Sequence, residues 1–464
     1  MAGPPAVTRI TSKANSARGG ELGGRPRPEM AKPSSALGLA FRQCRGTSLA
    51  MIVLALALRI GVGLAQSTFT AEPNRVAGGD EPSYVGIAGS LLSGHGYSEN
   101  GEIPTAYRAP GYPVFLALVF LLFGKSLVMA RLVNVLISSL TVGAIYLLGV
   151  SVFGRRAGLF AGFAGAVYPY WIPLSAAVMP ESLFLILVCA VLLLFQRIAE
   201  RPTSWRTHLA CGLTMGLATL TRPEFCLFVL LVPAWAMFFD RRFGRALGRS
   251  ALLVLPVVFC VAPWVARNYV VMGDFVFSSN VGPLLWGVYN PETFGDRTLM
   301  GDWKPPRHDA HPYRTGEYPA ALLQPDLRYV SEQEYNRQQT HRAVEAIRAN
   351  WSLMPRMMVA KLNQLALSAG AVENLLRLPV VYCFLLGLGL LVVSGDRRFL
   401  SLYLVLASGV AAALLFYAAP RLRMPFDMVV LLIASYGLGE QLRVLEERRG
   451  RRETAWDQRE RPHG

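Results

Sequence analysis

The chain of 464 residues is 53% hydrophobic and only 16% charged, with a mean hydropathy of +0.35 and a net charge of +16. Because a soluble domain carries about 25% charged residues, this composition excludes an ordinary soluble protein and predicts an all-α polytopic membrane protein. The basic residues fall in short loops between apolar segments, where they orient membrane helices. The positive charge therefore gives no support to a nucleic-acid partner.

Ten apolar segments are predicted to cross the bilayer as helices, which need about 17–25 residues each. These segments are residues 47–66, 126–152, 157–172, 178–197, 207–221, 224–239, 247–266, 375–394, 399–418 and 424–440. The basic tails, residues 1–46 and 441–464, are predicted to lie in the cytoplasm, and the first of them is predicted to be disordered. The six cysteines show no spacing typical of disulfides or of a zinc site.

One further apolar segment, residues 110–123, is too short to cross the bilayer comfortably. If it lies flat on the outer face, the basic loops between the spans all fall on the cytoplasmic side, as the positive-inside rule requires. Residues 84–92 carry apolar side chains at i, i+3, i+4 and i+7, which predicts a second helix in the membrane plane. The first outer loop, residues 67–125, is therefore expected to contain two in-plane helices.

The second large outer segment, residues 267–374, is too long for a plain connector and is predicted to be mainly helical. Ser331 and Glu334 form a capping-box pattern that opens a helix over residues 331–350. Residues 354–369 form an amphipathic stretch expected to rest on the membrane surface. The predicted organisation between the tails is a core, the outer segment and a C-terminal group of helices: residues 47–266, 267–374 and 375–440.

Acidic residues at the outer ends of the spans are the first candidates for a catalytic site. Asp80 and Glu81 follow the first span, and Glu181 lies at the same depth beside the fourth. Asp80 could act as a general base on an acceptor hydroxyl or hold a divalent cation, with Glu81 orienting it or sharing the cation. Oxygen ligands from Asp80 and Glu181 would suit Mg²⁺ or Mn²⁺. The alternative is that Asp80 and Glu81 solvate a loop while Glu181 stabilises a helix start.

Five outward-facing arginines break the positive-inside rule, so each needs a compensating anion. They are Arg108, Arg222, Arg267, Arg421 and Arg423. A lipid-linked phosphate at the level of the headgroups suits the planar guanidinium fork. Each arginine could instead bind ordinary headgroups or pair with a nearby carboxylate. As a set beside the acidic pair they favour one shared anionic ligand, and the adjoining Tyr84, Tyr112 and Glu181 are predicted to contact substrate.

Short motifs along most of the chain resemble the C-type (GT-C) integral-membrane glycosyltransferases, which use polyprenyl-phosphate-linked sugars and include the protein mannosyltransferases and aminoarabinose transferases. The resemblance extends over about residues 47–440. The motifs are Asp80-Glu81 with Tyr84, Arg108-Ala109-Pro110-Gly111-Tyr112-Pro113, Phe153-Gly154-Arg155-Arg156, Pro180-Glu181-Ser182, Thr221-Arg222-Pro223-Glu224, Arg267-Asn268-Tyr269 and Arg421-Leu422-Arg423-Met424-Pro425. Their order and their placement beside the membrane make the resemblance specific.

The resemblance implies a GT-C-type fold with a catalytic aspartate in the first outer loop, here Asp80, and in-plane helices around the active site. It implies that a polyprenyl-phosphate-linked sugar enters from the membrane and that Arg108 contacts its phosphate. Glu181 stands where relatives carry a second acidic residue, and metal dependence varies across the group. The implied reaction inverts the anomeric carbon and moves the sugar to an envelope glycan, lipid or protein acceptor. The active site would lie on the extracytoplasmic face of the plasma (inner) membrane.

Two other functions remain open at this point. A transporter or flippase for a lipid-linked saccharide would also need outer arginines, but transporters tend to place polar residues at mid-membrane in broken helices with internal repeats. Here the charges collect at the outer surface and no such repeat is apparent. A scaffolding subunit of an envelope-synthesis complex would tolerate replacement of Asp80.

Overall fold

The computed structural model describes residues 44–71, 80–304, 331–366 and 371–460. Most of the predicted N-terminal tail, part of the first outer loop and residues 305–330 of the outer segment lie outside the described residues. The described chain is mainly helical, and its only extended pairing is an isolated antiparallel bridge between Ser98 and Pro104.

The described residues form a succession of α-helices. In chain order these are α1 (Arg45–Ala65), α2 (Glu81–Leu92), α3 (Gly111–Phe123), α4 (Leu127–Phe153), α5 (Arg155–Val167), α6 (Trp171–Ser175), α7 (Glu181–Glu200), α8 (Trp205–Thr221), α9 (Cys226–Phe239), α10 (Phe243–Met272), α11 (Val281–Val288), α12 (Pro291–Gly295), α13 (Glu332–Ala349), α14 (Met354–Ala366), α15 (Ala371–Ser394), α16 (Leu400–Leu415) and α17 (Met424–Glu460).

Seven helices of the described part are long and apolar enough to cross a membrane, namely α1, α4, α7, α10, α15, α16 and α17. Three more coincide with predicted spans but are shorter: α5, α8 and α9 have 13, 17 and 14 residues. At 1.5 Å per residue α5 is about 20 Å long, less than the roughly 30 Å hydrocarbon core. The predicted all-α polytopic membrane fold is confirmed, and the short apolar segment at 110–123 occurs as α3.

Buried basic side chains satisfy the C-terminal ends of two short helices. Arg59 of α1 donates to the carbonyl oxygens of Gly165 and Ala166 at the end of α5, over 3.4 and 3.3 Å. Lys361 of α14 donates to the Leu414 carbonyl at the end of α16, over 2.9 Å. The last carbonyls of a helix have no partner within it and carry partial negative charge. A buried hydrogen-bond donor at each end therefore lets the helix stop where water is scarce.

Glycines allow neighbouring membrane helices to approach closely. A Cβ on Gly437 of α17 would lie 2.1 Å from the carbonyl oxygen of Cys383 in α15, and one on Gly387 would lie 2.3 Å from that of Ile433. Small residues commonly line such contacts in membrane proteins, where association depends on close packing. The two helices therefore pack backbone against backbone, which fixes the position of the loop before α17.

The first outer loop and the second outer segment are tied together by Glu332, the first residue of α13. Its carboxylate accepts hydrogen bonds from the Thr105 hydroxyl over 2.7 Å, from the Ala106 amide over 2.8 Å and from the Ser279 hydroxyl. The predicted helix start is confirmed, because the Ser331 hydroxyl accepts from the Glu334 amide over 3.2 Å. Both outer regions thus converge at the loop that precedes α3.

We expect Gly111→Ala to destabilise the protein. A Cβ at this position, the first residue of α3, would lie 2.7 Å from the Leu220 carbonyl carbon and from the Thr221 amide nitrogen at the end of α8. Backbone cannot yield as a side chain can, so the cost should be about 1–3 kcal/mol. Thermal unfolding in detergent would measure it as a lower melting temperature.

Gly248→Ala in α10 is the matched control, because nothing lies within 4 Å of the added methyl group. Helix propensity favours alanine there, so its melting temperature should stay equal or rise. Equal melting temperatures in the two variants would contradict the close contact between α3 and α8.

Candidate active site

Asp80 pairs with two arginines that come from distant parts of the chain. It stands immediately before α2, and its carboxylate makes no cap to that helix. One carboxylate oxygen accepts from Arg108 over 2.7 Å, and the other accepts from Arg421 over 2.5 Å. The side chains of Asp80, Arg108 and Arg421 are 20%, 11% and 25% exposed. These three residues, the Asp80 cluster, are thus partly shielded and still open to a ligand.

The two guanidinium groups determine the protonation state of Asp80. Burial alone would raise the pKa of this carboxyl, but the charges and hydrogen bonds of Arg108 and Arg421 outweigh burial and hold the pKa well below its usual range. Asp80 is therefore a carboxylate at any ordinary pH. While both arginines remain paired with it, this carboxylate is also a weak proton acceptor.

Arg108 is held in place by contacts other than Asp80. Its guanidinium lies over the rings of Tyr84 and Tyr107, at 5.2 and 4.9 Å from their centroids, which are cation–π distances. Its Nε donates to the Ser83 hydroxyl over 3.2 Å. The head of Arg108 is therefore fixed by α2 and by its own loop, and its position does not depend on Asp80 alone.

Glu99 is a second carboxylate near Arg108, and the sequence patterns do not predict it. The Ser83 hydroxyl donates to Glu99 and accepts from Arg108, so one hydroxyl connects the two charged groups. Burial raises the pKa of Glu99 to about 7, although Ser83 and Arg108 act to lower it. No sequence motif marks Glu99, which lies in the turn between α2 and α3.

A second charged group, the Arg222 cluster, surrounds the starts of α7 and α9. Arg222 donates to Glu181, and to Glu224 over 2.9 Å. Burial raises the pKa of the Tyr84 hydroxyl, and the charges of both clusters act on it. Glu181 also acts electrostatically on Arg421. The predicted residues Tyr84, Glu181 and Arg222 are therefore brought near the Asp80 cluster.

Glu81 and Tyr112 use their polar atoms inside the protein. Glu81 is fully buried and accepts from the Val178 amide over 2.7 Å, while Arg131 lies 3.9 Å from its other oxygen. The buried Tyr112 hydroxyl accepts from Asn134 over 2.8 Å. This geometry fits structural roles, and the predicted catalytic role of Glu81 and substrate contact of Tyr112 gain no support from it.

Arg267 and Arg423 are also satisfied by the protein itself. Arg267 donates to the carbonyl oxygens of Thr105 and Tyr97, over 2.8 and 3.2 Å. Arg423 pairs with Asp427 over 3.2 Å and also donates to carbonyl oxygens in the last turns of α14. Of the five predicted phosphate-binding arginines, Arg108 and Arg421 therefore contact Asp80, and Arg222 lies beside them. Arg267 and Arg423 instead have a structural role within the protein.

The metal site predicted at Asp80 and Glu181 does not match the arrangement of these carboxylates. Asp80 faces two guanidinium groups and Glu181 faces one. A divalent cation placed there would meet several positive charges at short range. In the part of the chain that the structure describes, no cluster of three or more His, Cys, Asp or Glu residues is arranged to hold a metal ion.

Known proteins share parts of this sequence and the helical fold. Residues 107–266 match the family described as dolichyl-phosphate-mannose-protein mannosyltransferase. The chain resembles the archaeal oligosaccharyltransferase AglB from Archaeoglobus fulgidus, in complex with an inhibitory peptide and a dolichol-phosphate, with a TM-score of 0.53 at 11% identity, over 89% of this chain and 52% of that chain. A structure of the oligosaccharyltransferase from the same organism, tethered to an acceptor peptide, matches with a TM-score of 0.53 at 12% identity. That match covers 86% of this chain and 50% of that chain.

A further similar structure is ArnT from Cupriavidus metallidurans bound to undecaprenyl phosphate, with a TM-score of 0.38 at 17% identity, over 86% of this chain and 77% of that chain. No curated protein matches the chain by sequence. The chain spans about half the length of the archaeal oligosaccharyltransferases that it matches. The similarity to the archaeal structures confirms the predicted fold, and the match over residues 107–266 confirms the resemblance to protein mannosyltransferases in that part of the chain.

We expect Glu81→Ala to lower stability strongly. Removing this carboxylate strands the buried Val178 amide and takes away the nearest anion of the buried Arg131. Removing one partner of a buried ion pair costs about 3–5 kcal/mol. Glu102→Ala, which removes an exposed carboxylate of the same loop, is the control and should unfold like the wild type. A melting temperature of Glu81→Ala close to that of the control would exclude the structural role.

Proposed function

We propose that this chain is an inverting glycosyltransferase that moves a sugar from a polyprenyl-phosphate donor to an envelope glycan, lipid or protein acceptor. The observation that carries it is the position of Asp80 between two partly exposed arginines, Arg108 and Arg421. A transferase of this kind needs positive charge for a phosphate and a carboxylate for a hydroxyl proton in the same place. The Asp80 cluster supplies both.

The ligand class is supported from two sides. Guanidinium forks bind phosphate oxygens with charge-assisted, often bidentate hydrogen bonds. The matching family is described by a dolichyl-phosphate sugar, and the AglB structure with the same fold contains a dolichol-phosphate. A phosphate carried on a polyprenyl lipid would reach Arg108 and Arg421 from the side of the membrane.

The proposed reaction is a single displacement. The acceptor oxygen attacks the anomeric carbon and forms the new glycosidic bond, while the bond from that carbon to the phosphate oxygen breaks. The lipid phosphate leaves with the electron pair, and the hydroxyl proton passes to the Asp80 carboxylate. Attack from the side opposite the phosphate inverts the anomeric carbon. Arg108 and Arg421 would stabilise the charge that builds on the phosphate, in a partly shielded site where such contacts are strong.

Donor binding would also change Asp80 itself. In the structure both oxygens of Asp80 accept from arginines, which keeps its pKa well below the usual range and makes it a weak base. A phosphate that draws the same two arginines toward itself removes part of that stabilisation, so the pKa of Asp80 rises. The base would then become effective only when the donor is present.

No step is assigned to a divalent cation, because the carboxylates that would hold it already face guanidinium groups.

The face of the membrane on which the site opens follows from α4, which runs from the side of the site to the basic pair Arg155 and Arg156. The positive-inside rule puts that pair in the cytoplasm. The site would therefore open on the extracytoplasmic face of the plasma (inner) membrane.

We expect Arg108→Ala and Arg421→Ala each to weaken the binding of polyprenyl phosphate roughly tenfold to a hundredfold, the effect of losing a hydrogen bond to a charged group. Asp80→Asn should keep or improve that binding, because it removes the competing anion, and it should abolish sugar transfer. Binding can be measured from the rise in melting temperature with added polyprenyl phosphate. Transfer can be measured from polyprenyl phosphate released by membranes that contain the protein.

Arg348→Ala, which removes an exposed arginine of α13, is the control for both measurements and should behave like the wild type. No stabilisation of the folded wild type by the lipid would refute the donor assignment. If the wild type binds the lipid but leaves the sugar–phosphate bond of the sugar-linked donor intact in the transfer measurement, the transporter would be favoured.

A further inference from the structure

Glu99 is held beside Arg108 by the packing of the first outer loop on α2. Its backbone carbonyl oxygen lies where a Cβ on Gly86 would be only 2.5 Å away, so glycine permits this approach. From the same helix, Ser83 donates to the Glu99 carboxylate and accepts from Arg108. The path from Glu99 through Ser83 to Arg108 and on to Asp80 is therefore continuous.

The positive and negative charges in this path already balance when Glu99 is ionised, so a further anion would leave an excess of negative charge. The positive charges are those of Arg108 and Arg421, and the negative charges are those of Asp80 and of Glu99 when it is ionised. A phosphodiester adds one more negative charge at the arginines. Two cations would then face three anions at short range in a partly shielded site, where like charges repel strongly. Protonation of one carboxylate restores the balance.

Glu99 is the carboxylate that can take up this proton. Its pKa is raised to about 7 in total, by burial first and also by the charges of Glu332 and Asp80, against the lowering effect of Ser83 and Arg108. The other two candidates are less able to do so. The pKa of Asp80 starts well below its usual range, so the rise that donor binding brings begins far from neutral pH, and Glu332 accepts three hydrogen bonds, from Thr105, Ala106 and Ser279. A neighbouring phosphate acts on Glu99 in the same direction as Asp80 and Glu332.

We propose that Glu99 is a positioning residue that binds a proton from solvent when the donor phosphate binds to Arg108 and Arg421. The inference rests on the proposed function, since it needs the phosphate at these arginines. The protonated carboxyl keeps an oxygen that accepts from Ser83, so the link to Arg108 survives. By linkage, donor affinity falls as the pH rises through the range in which free Glu99 loses its proton.

The test is isothermal titration calorimetry of the full-length protein in nanodiscs with a methyl diester of polyprenyl phosphate. The diester keeps one negative charge between pH 6 and 8, so its own titration does not contribute. The binding heat at pH 7 is compared in PIPES and imidazole, whose ionisation enthalpies differ. With a pKa of about 7 for Glu99, the wild type should take up as much as about half a proton.

Affinity gives a second readout. If phosphate binding raises the pKa of Glu99 by one unit, the dissociation constant should increase about fivefold between pH 6 and pH 8. Glu99→Gln keeps an oxygen for Ser83 but cannot take up a proton. It should therefore show equal binding heats in the two buffers and an affinity that does not change with pH. Glu102→Gln, an exposed carboxylate in the same loop, is the control and should match the wild type.

The outcomes separate this inference from the proposed function. Binding to the wild type without proton uptake, or uptake that persists in Glu99→Gln, would overturn the role of Glu99 and leave the donor site in place. No binding to the folded wild type would refute the donor site itself. Loss of uptake in Glu102→Gln would also overturn the assignment to Glu99.

Discussion

The ion pairs of Asp80 with Arg108 and Arg421 are the interaction on which the rest of the site depends. They join the start of α2, the loop before α3 and the loop before α17, and Asp80 and Arg421 are 341 positions apart in the sequence. Charges that are mostly removed from water need a partner, and an unpaired one would cost several kcal/mol. The packing of the α15–α17 pair and the anchor at Glu332 position these loops so that the charges meet.

Asp80 serves as an internal counter-ion, which has consequences for recognition. A ligand must interact with the two arginines more strongly than the Asp80 carboxylate already does. Neutral or weakly interacting ligands would therefore bind poorly there. A phosphate can do this because its oxygens accept several charge-assisted hydrogen bonds. Because Tyr84, Tyr107 and Ser83 hold Arg108 independently of Asp80, its position would already be prepared for the proposed phosphate before that ligand arrives. Little reorganisation is then needed when one anion takes the place of the other.

Hydropathy and charge asymmetry were sufficient to predict most of the fold. The helices occur close to the predicted spans because apolar length and basic loops are strong physical constraints. The sequence could not show which of the neighbouring carboxylates, Asp80 or Glu81, faces the protein core. Consecutive residues at a helix start point about 100° apart, so the two side chains enter different surroundings. One of them therefore reaches Arg108, and the other enters the core toward Val178. Glu99 could not be found either, since only the packing of its loop on Gly86 brings it to the site.

The arginines show why charge at the membrane surface does not by itself identify ligand sites. Arg59, Arg267 and Arg423 donate to backbone carbonyl oxygens. Moving one of them to a ligand would leave those oxygens without a partner, and an unsatisfied buried carbonyl is costly. An arginine paired with a partly exposed carboxylate is different, because the carboxylate can turn to water when the arginine moves.

The nature of the partner therefore distinguishes a structural arginine from one that is free to bind a ligand. By this criterion Arg108 and Arg421 are available, since each pairs with Asp80, which keeps contact with solvent. Arg222 is intermediate, because its two carboxylates, Glu181 and Glu224, differ in burial. The partly exposed Glu224 can be released, whereas Glu181 is almost fully buried and needs the guanidinium to remain. Arg222 is thus suited to shape the field around a phosphate without leaving its place.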